Sequence, residues 1–186
     1  MKHLISMLFI ILLFLLGCDQ VTEINAPQEK ILNKHIISLP KSVETGLGVE
    51  DLYTETKDID GASGGWFGES FSYQGINGTV NINSILHFYA NAFTGTQTIS
   101  QTFNTETAAI TFGPPMQFNV PVDYTLIITG VDLTGVNPNT LDFVYIDANG
   151  NMYAVQKDYV MMDASTGMLK VKNAKLNHFS RYGFVN

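Results

Sequence analysis

Basic residues are scarce and unevenly placed. Between Lys57 and Lys157 the 186-residue chain has no lysine or arginine, and Arg181 is its one guanidinium. Eight carboxylates fall in the same stretch, and the formal net charge is −7. Such a surface repels phosphate backbones, which argues against nucleic acid as a partner. Cysteine is limited to Cys18, and His35, His87 and His178 are far apart in the chain. Neither residue type offers the spacing of a metal site. The one Gly-x-Ser-x-Gly match, Gly61-Ala62-Ser63-Gly64-Gly65, has no helical pattern after it, so it is not the strand-turn-helix elbow of a serine hydrolase. Gly61–Gly65 reads as a turn or bulge and not a phosphate loop, because no helical pattern follows it. No repeat of fixed period is present, and no motif implies a cofactor.

What is present begins at the N-terminus. Lys2 and His3 precede an apolar run from Leu4 to Leu16, broken only by Ser6. A spanning helix needs ~20 apolar residues, so the run has the length of a signal-peptide core instead. It ends in Leu15-Leu16-Gly17-Cys18, which resembles the bacterial lipobox. That resemblance implies a lipoprotein signal peptide over 1–17, lipid attachment at Cys18, and a protein anchored to a bacterial envelope membrane without spanning it. Asp19 follows, but sorting rules differ between bacterial groups and neither membrane is selected. With its one cysteine lipidated, the mature chain would have no disulfide, so its fold would rest on an apolar core.

Residues 18–45 read as a lipidated N-terminus and tether, with Ile36–Leu39 as an alternative first edge strand. From 46 to 186 the pattern is short alternating or apolar runs broken by Gly, Pro, Asn and Asp. It predicts strands at 66–73, 79–89, 96–103, 107–112, 115–120, 122–129, 140–147, 151–157, 168–173 and 178–185. Asn149-Gly150 sits between two of them and predicts a type I′ hairpin. Gly113-Pro114-Pro115 ends a strand. The fold class that follows is all-β: an antiparallel β-sandwich in a single domain.

Four segments, in order, carry a further resemblance: Ile59-Asp60-Gly61-Ala62-Ser63-Gly64-Gly65, the run Phe112 to Val122, Gly130-Val131-Asp132-Leu133-Thr134-Gly135, and His178-Phe179-Ser180-Arg181-Tyr182-Gly183-Phe184. Together they resemble the ZU-five domain shared by ankyrins, netrin receptors and zonula occludens proteins, and more closely its bacterial secreted relatives. The resemblance implies a β-sandwich and a binding or scaffolding role. Some animal relatives cut themselves between Phe and Ser of His-Phe-Ser. By that resemblance Ser180 would be the nucleophile, His178 the general base and Phe179 the residue whose carbonyl is attacked. Cleavage would release only residues 180–186. In a regular strand His178 and Ser180 would stand ~6.5–7 Å apart at Cα, too far to react without a kink.

Strand alternation places His178, Ser180, Tyr182 and Phe184 on one face and Phe179, Arg181 and Val185 on the other. Arg181 is expected to pair with a carboxylate. Asp147 to Asp158 only partly fits a calcium loop, since Met152 stands where glycine is needed. Trp66 and Tyr73 are candidates for stacking on a sugar ring if exposed; otherwise they fill the core. Three roles therefore remain: a protein-binding or structural module, a carbohydrate-binding or adhesion module, and a self-cleaving domain.

Overall fold

The computed structural model describes residues 29–43 and 52–186; the expected signal peptide over 1–17, Cys18 and the expected boundary at 45/46 lie outside them. The described residues form an antiparallel β-sandwich, as the sequence predicts. Twelve strands are present among them: β1 Lys30–Ile31, β2 Leu52–Asp60, β3 Gly65–Gly75, β4 Gly78–Phe88, β5 Thr96–Asn104, β6 Ala109–Gly113, β7 Gln117–Thr129, β8 Asp142–Ile146, β9 Met152–Ala154, β10 Tyr159–Asp163, β11 Met168–His178 and β12 Arg181–Val185. One sheet has the order β1-β9-β8-β12-β6-β5-β2 and the other β10-β11-β7-β4-β3.

Period-two patterning explains why these segments pair this way. On β4, Val80, Ile82, Leu86 and Phe88 point into the core while their neighbours face out. Ser84 is the polar member of the inward row, and its hydroxyl donates to Gln101 Oε1 of β5 at 2.9 Å. That bond crosses from one sheet to the other, and both side chains are fully buried.

The chain changes sheets repeatedly, and two crossings lie side by side. Gly113 to Met116 carries the chain from β6 to β7, and Phe179-Ser180 carries it from β11 to β12. Phe179 N donates to Met116 O at 2.8 Å, and Phe112 N donates to Ser180 O at 2.9 Å. The predicted strand 178–185 is therefore corrected: it is a corner at 179–180 followed by β12. Phe179 is buried and not outward-facing. Its ring stacks on Phe112 at 5.2 Å and meets Phe118 and Phe88 edge-on at 4.8 and 6.1 Å. A straight strand would put that ring in solvent; the corner turns it between the sheets.

Other boundaries also differ. The predicted strands 115–120 and 122–129 are one strand, β7. Pro121 is tolerated because the β11–β7 register shifts between Leu176↔Val122 and His178↔Gln117, leaving a stretch that needs no ladder donor there. β2 and β10 were not predicted. β2 is an edge strand with mostly exposed residues, so it shows no apolar alternation. Within the expected tether, Ile37 and Leu39 are buried, and the segment makes two isolated bridges, Ile36 to Val185 and Ser38 to Thr107, in place of the alternative edge strand. Ile37 N donates to Phe184 O at 3.0 Å, and Leu39 N donates to Glu106 O at 2.8 Å.

Phe179→Ala is expected to lower unfolding free energy by about 3–5 kcal/mol, because the cavity would lie between the sheets. Ser180→Ala should cost no more than about 1 kcal/mol. Urea melts of the two variants check this; equal effects would contradict the corner geometry.

Candidate functional site

Two places draw the sequence-predicted residues together: the outer face of the five-stranded sheet and the corner at His178–Ser180.

On the outer face, Trp66 of β3 is paired with His87 of β4, His87 with Asp123 of β7, and Asp123 with Lys175 of β11. One row of cross-strand neighbours thus spans four strands. Trp66 is 58% exposed, and its ring lies flat on the His87 imidazole, with centroids 3.8 Å apart and planes 7° apart. Tyr89 continues the outward alternation of β4 and sits 4.3 Å from His87. Its hydroxyl donates to Asp123 Oδ2 at 2.7 Å, Asp123 is ion-paired with Lys175, and Lys175 Nζ lies 5.7 Å from the Tyr89 ring centre. The hydrogen bond to Asp123 holds the Tyr89 hydroxyl pKa above its ordinary value, and the same carboxylate raises that of Lys175.

Tyr73, the other predicted sugar-stacking residue, does not belong here. It points inward from β3, is buried, and donates its hydroxyl to Pro40 O at 2.9 Å. Burial pushes it up to about 12. The residues that accompany Trp66 are His87 and Tyr89. Cross-strand pairing, which depends on register, brings them there; the only sequence signal was that all three lie in one aromatic-rich stretch.

At the corner, His178 closes β11 and Ser180 precedes β12. The bend supplies the kink that a regular strand would lack. The His178 ring is edge-on to Tyr145 at 4.5 Å, and Tyr182 Oη donates to His178 O at 2.7 Å. No hydrogen bond joins the His178 imidazole to the Ser180 hydroxyl by the geometry observed. An open hollow lined by Pro115, Met116, Gln117, Tyr145, His178 and Ser180 lies over the corner. These residues brace a change of sheet, with a histidine and a hydroxyl near solvent beside it.

The remaining predicted residues have local roles. Arg181 is not paired with a carboxylate: the ion pairs among the described residues are Lys157–Asp142 and Lys175–Asp123. Its guanidinium donates instead to Thr107 Oγ1 at 3.4 Å, in the segment just before β6, the strand beside β12. At Asn149-Gly150 only Gly150 has positive φ, at 77°, so the loop is not type I′. Gly150 N donates to Asp147 O and Asp147 N to Asn151 O, the pattern of a longer loop with glycine in the left-handed region. The Asp147 carboxylate accepts from Asn149 N, Asn151 N and Asn151 Nδ2, which holds its pKa below the ordinary range and uses its oxygens inside the turn. Among the described residues no three His, Cys, Asp or Glu side chains gather as a metal site. A cleft of about 260 Å³ opens between the edges of β2 and β3, lined by Tyr53, Phe71, Phe103, Glu55 and Glu69. Burial, then the nearby Glu55 charge, raises the Glu69 pKa.

Burial holds the His178 pKa below its ordinary 6.5, and a backbone hydrogen bond at Phe179 opposes the shift. As pH falls, the unfolded chain therefore takes up this proton before the native state does. Stability is complete above 6.5 and is lost as pH falls toward the depressed native value. His178→Gln is expected to flatten that part of the acid limb, measured as urea midpoints across a pH series; an unchanged slope would contradict it. Comparison of the chain with protein-family models, curated proteins and solved structures finds no match.

Proposed function

We propose that the mature chain is a lipid-anchored module of the bacterial envelope that binds through the outer face of its five-stranded sheet, without turnover. One observation carries the binding half. Of the nine large hydrophobic residues exposed among the described ones, Trp66, Ile85, Tyr89, Tyr159 and Met161 lie on this face. Exposed apolar side chains scattered singly need no explanation, but their concentration on one face marks a contact surface. Their rigidity supports it: Trp66 is held by stacking and Tyr89 by its bond to Asp123, so little ordering entropy is lost on binding. The lipid anchor rests on the Leu-Leu-Gly-Cys sequence, and the ZU-five resemblance supports a binding or scaffolding role over an enzymatic one.

A second reading is self-cleavage at Phe179–Ser180. The observation in its favour is that this bond lies in a corner between strands and not inside a ladder.

Three outcomes follow. Fed a fatty-acid analogue, cells should label the wild-type protein and not Cys18→Ala; an unlabelled wild type would contradict the anchor. A diazirine amino acid at Ile85 should give photo-adducts in cells well above those from Thr98 on the opposite sheet; equal yields would contradict the binding face. Intact-mass spectra should show the bond after Phe179 uncut in both wild type and Ser180→Ala; loss of residues 180–186 from the wild type alone would establish the second reading instead.

A further inference from the structure

We infer that the ligand of the outer face is a neutral polysaccharide, laid along the β3–β4 half with one sugar ring against the free side of Trp66. This deepens the reading above and rests on it.

The geometry of Trp66 comes first. His87 covers one side of its indole. β3 is the edge strand of its sheet, so no further strand flanks the other side. The next outward position on β3 is Gly68, where an added Cβ would meet nothing closer than 3.6 Å. An upright, half-covered indole beside a bare floor is a shelf for a flat ring with C–H groups on its face. A pyranose has such a face, and burying it against an aromatic ring gives stacking contact while its hydroxyls stay at the rim.

The chemistry along the shelf fits hydroxyls and not charges. The outward positions of β3 carry Trp, Gly, Ser, Ser and Gln, and those of β4 carry Thr, Asn, Asn, Ile and His. None is Asp, Glu, Lys or Arg, although such residues make up 15% of the chain. Ser70 Oγ donates to Asn83 Oδ1 at 2.7 Å, and Asn81 Nδ2 donates to Thr129 Oγ1 at 3.4 Å. These amides and hydroxyls both donate and accept, as sugar hydroxyls do. A strand of 11 residues is ~36 Å long at ~3.3 Å per residue, room for several linked sugars.

Other ligand classes fit less well. A polyanion would meet a single ammonium at this edge, Lys57 Nζ, which already donates to Trp66 O at 2.8 Å, in a chain of net charge −7. A protein interface core is expected to be contiguous and apolar. Here Trp66 and Ile85 are separated from Tyr159 and Met161 by β7 and β11, whose outward positions include Asp123, Thr125, Thr129, Lys170 and Lys175.

The test uses the full-length protein purified in detergent and sedimented with insoluble cellulose, chitin, xylan, mannan and starch, with dextran sulfate-coated beads as the charged control. Retention is expected on at least one neutral polymer and not on the charged beads. Trp66→Ala should weaken it by about tenfold or more. Trp66→Tyr should restore most of it, and both variants should melt like wild type because the side chain is exposed. No retention on any neutral polymer, retention on dextran sulfate alone, or a Trp66→Ala protein that binds as wild type overturns the inference. The Ile85 photo-adducts separate the two levels. A protease-sensitive adduct without polysaccharide retention overturns the glycan and leaves the binding face standing. No adduct and no retention overturn both.

Discussion

The packing of Phe179 between the sheets is the interaction on which the rest depends. No disulfide is available to join the two sheets of the described fold, since Cys18 is the chain's one cysteine. Cohesion falls to apolar burial, which includes the aromatic cluster of Phe88, Phe112, Phe118 and Phe179. Phe112 and Phe118 flank one crossing between sheets and Phe179 forms another. Locking the crossings together sets the register of β12. Ala108 and Ala109 then come close enough to Gly183 that an added Cβ there would lie 2.8 Å from Ala109 Cβ.

The same end of the sandwich collects three of the four segments that carry the family resemblance; Gly130–Gly135 lies at the other end, where Val131 N donates to Gly167 O. Ala62 O accepts from Asn91 N, Ala92 O accepts from Asn119 N, and Met116 O accepts from Phe179 N. Segments far apart in the chain therefore meet through backbone bonds. This gives those residues a structural reason that requires no catalysis. His178 and Ser180 stand beside the junction, and Tyr182 ties its hydroxyl to the carbonyl of His178. Trp66, His87 and Tyr89 lie on the outside of this end, where β3 begins and β4 finishes. A rigid corner inside thus underlies a rigid aromatic shelf outside.

Much of the fold was legible because inward rows such as Val80, Ile82 and Leu86 alternate cleanly, and because Gly113-Pro114 must end a strand. What was not legible has physical causes. β2, as Leu-Tyr-Thr-Glu-Thr-Lys-Asp-Ile-Asp, is held by pairing with β5 and not by an apolar stripe. The His178 corner reads as a strand because each residue in it has strand character; only the tertiary fit of Phe179 breaks it. The site was half legible. Trp66 could be named as exposed or core, but its partnership with His87 depends on the β3–β4 register, and Tyr73 differs from Tyr89 only in which way its strand faces. Arg181 could not be matched to Thr107 because that neighbour comes from the sheet order.

The central claim is that the β3–β4 outer face, and not the corner or the β2–β3 cleft, is where this protein meets its ligand. Amide chemical-shift mapping during titration with a soluble neutral oligosaccharide, cut from whichever polymer retains the protein, tests it most directly. The account predicts shifts clustered at Trp66, Gly68, Ser70, Asn83 and Ile85. Shifts centred on Gln117 and Ser180, or on Tyr53 and Phe71, would contradict it.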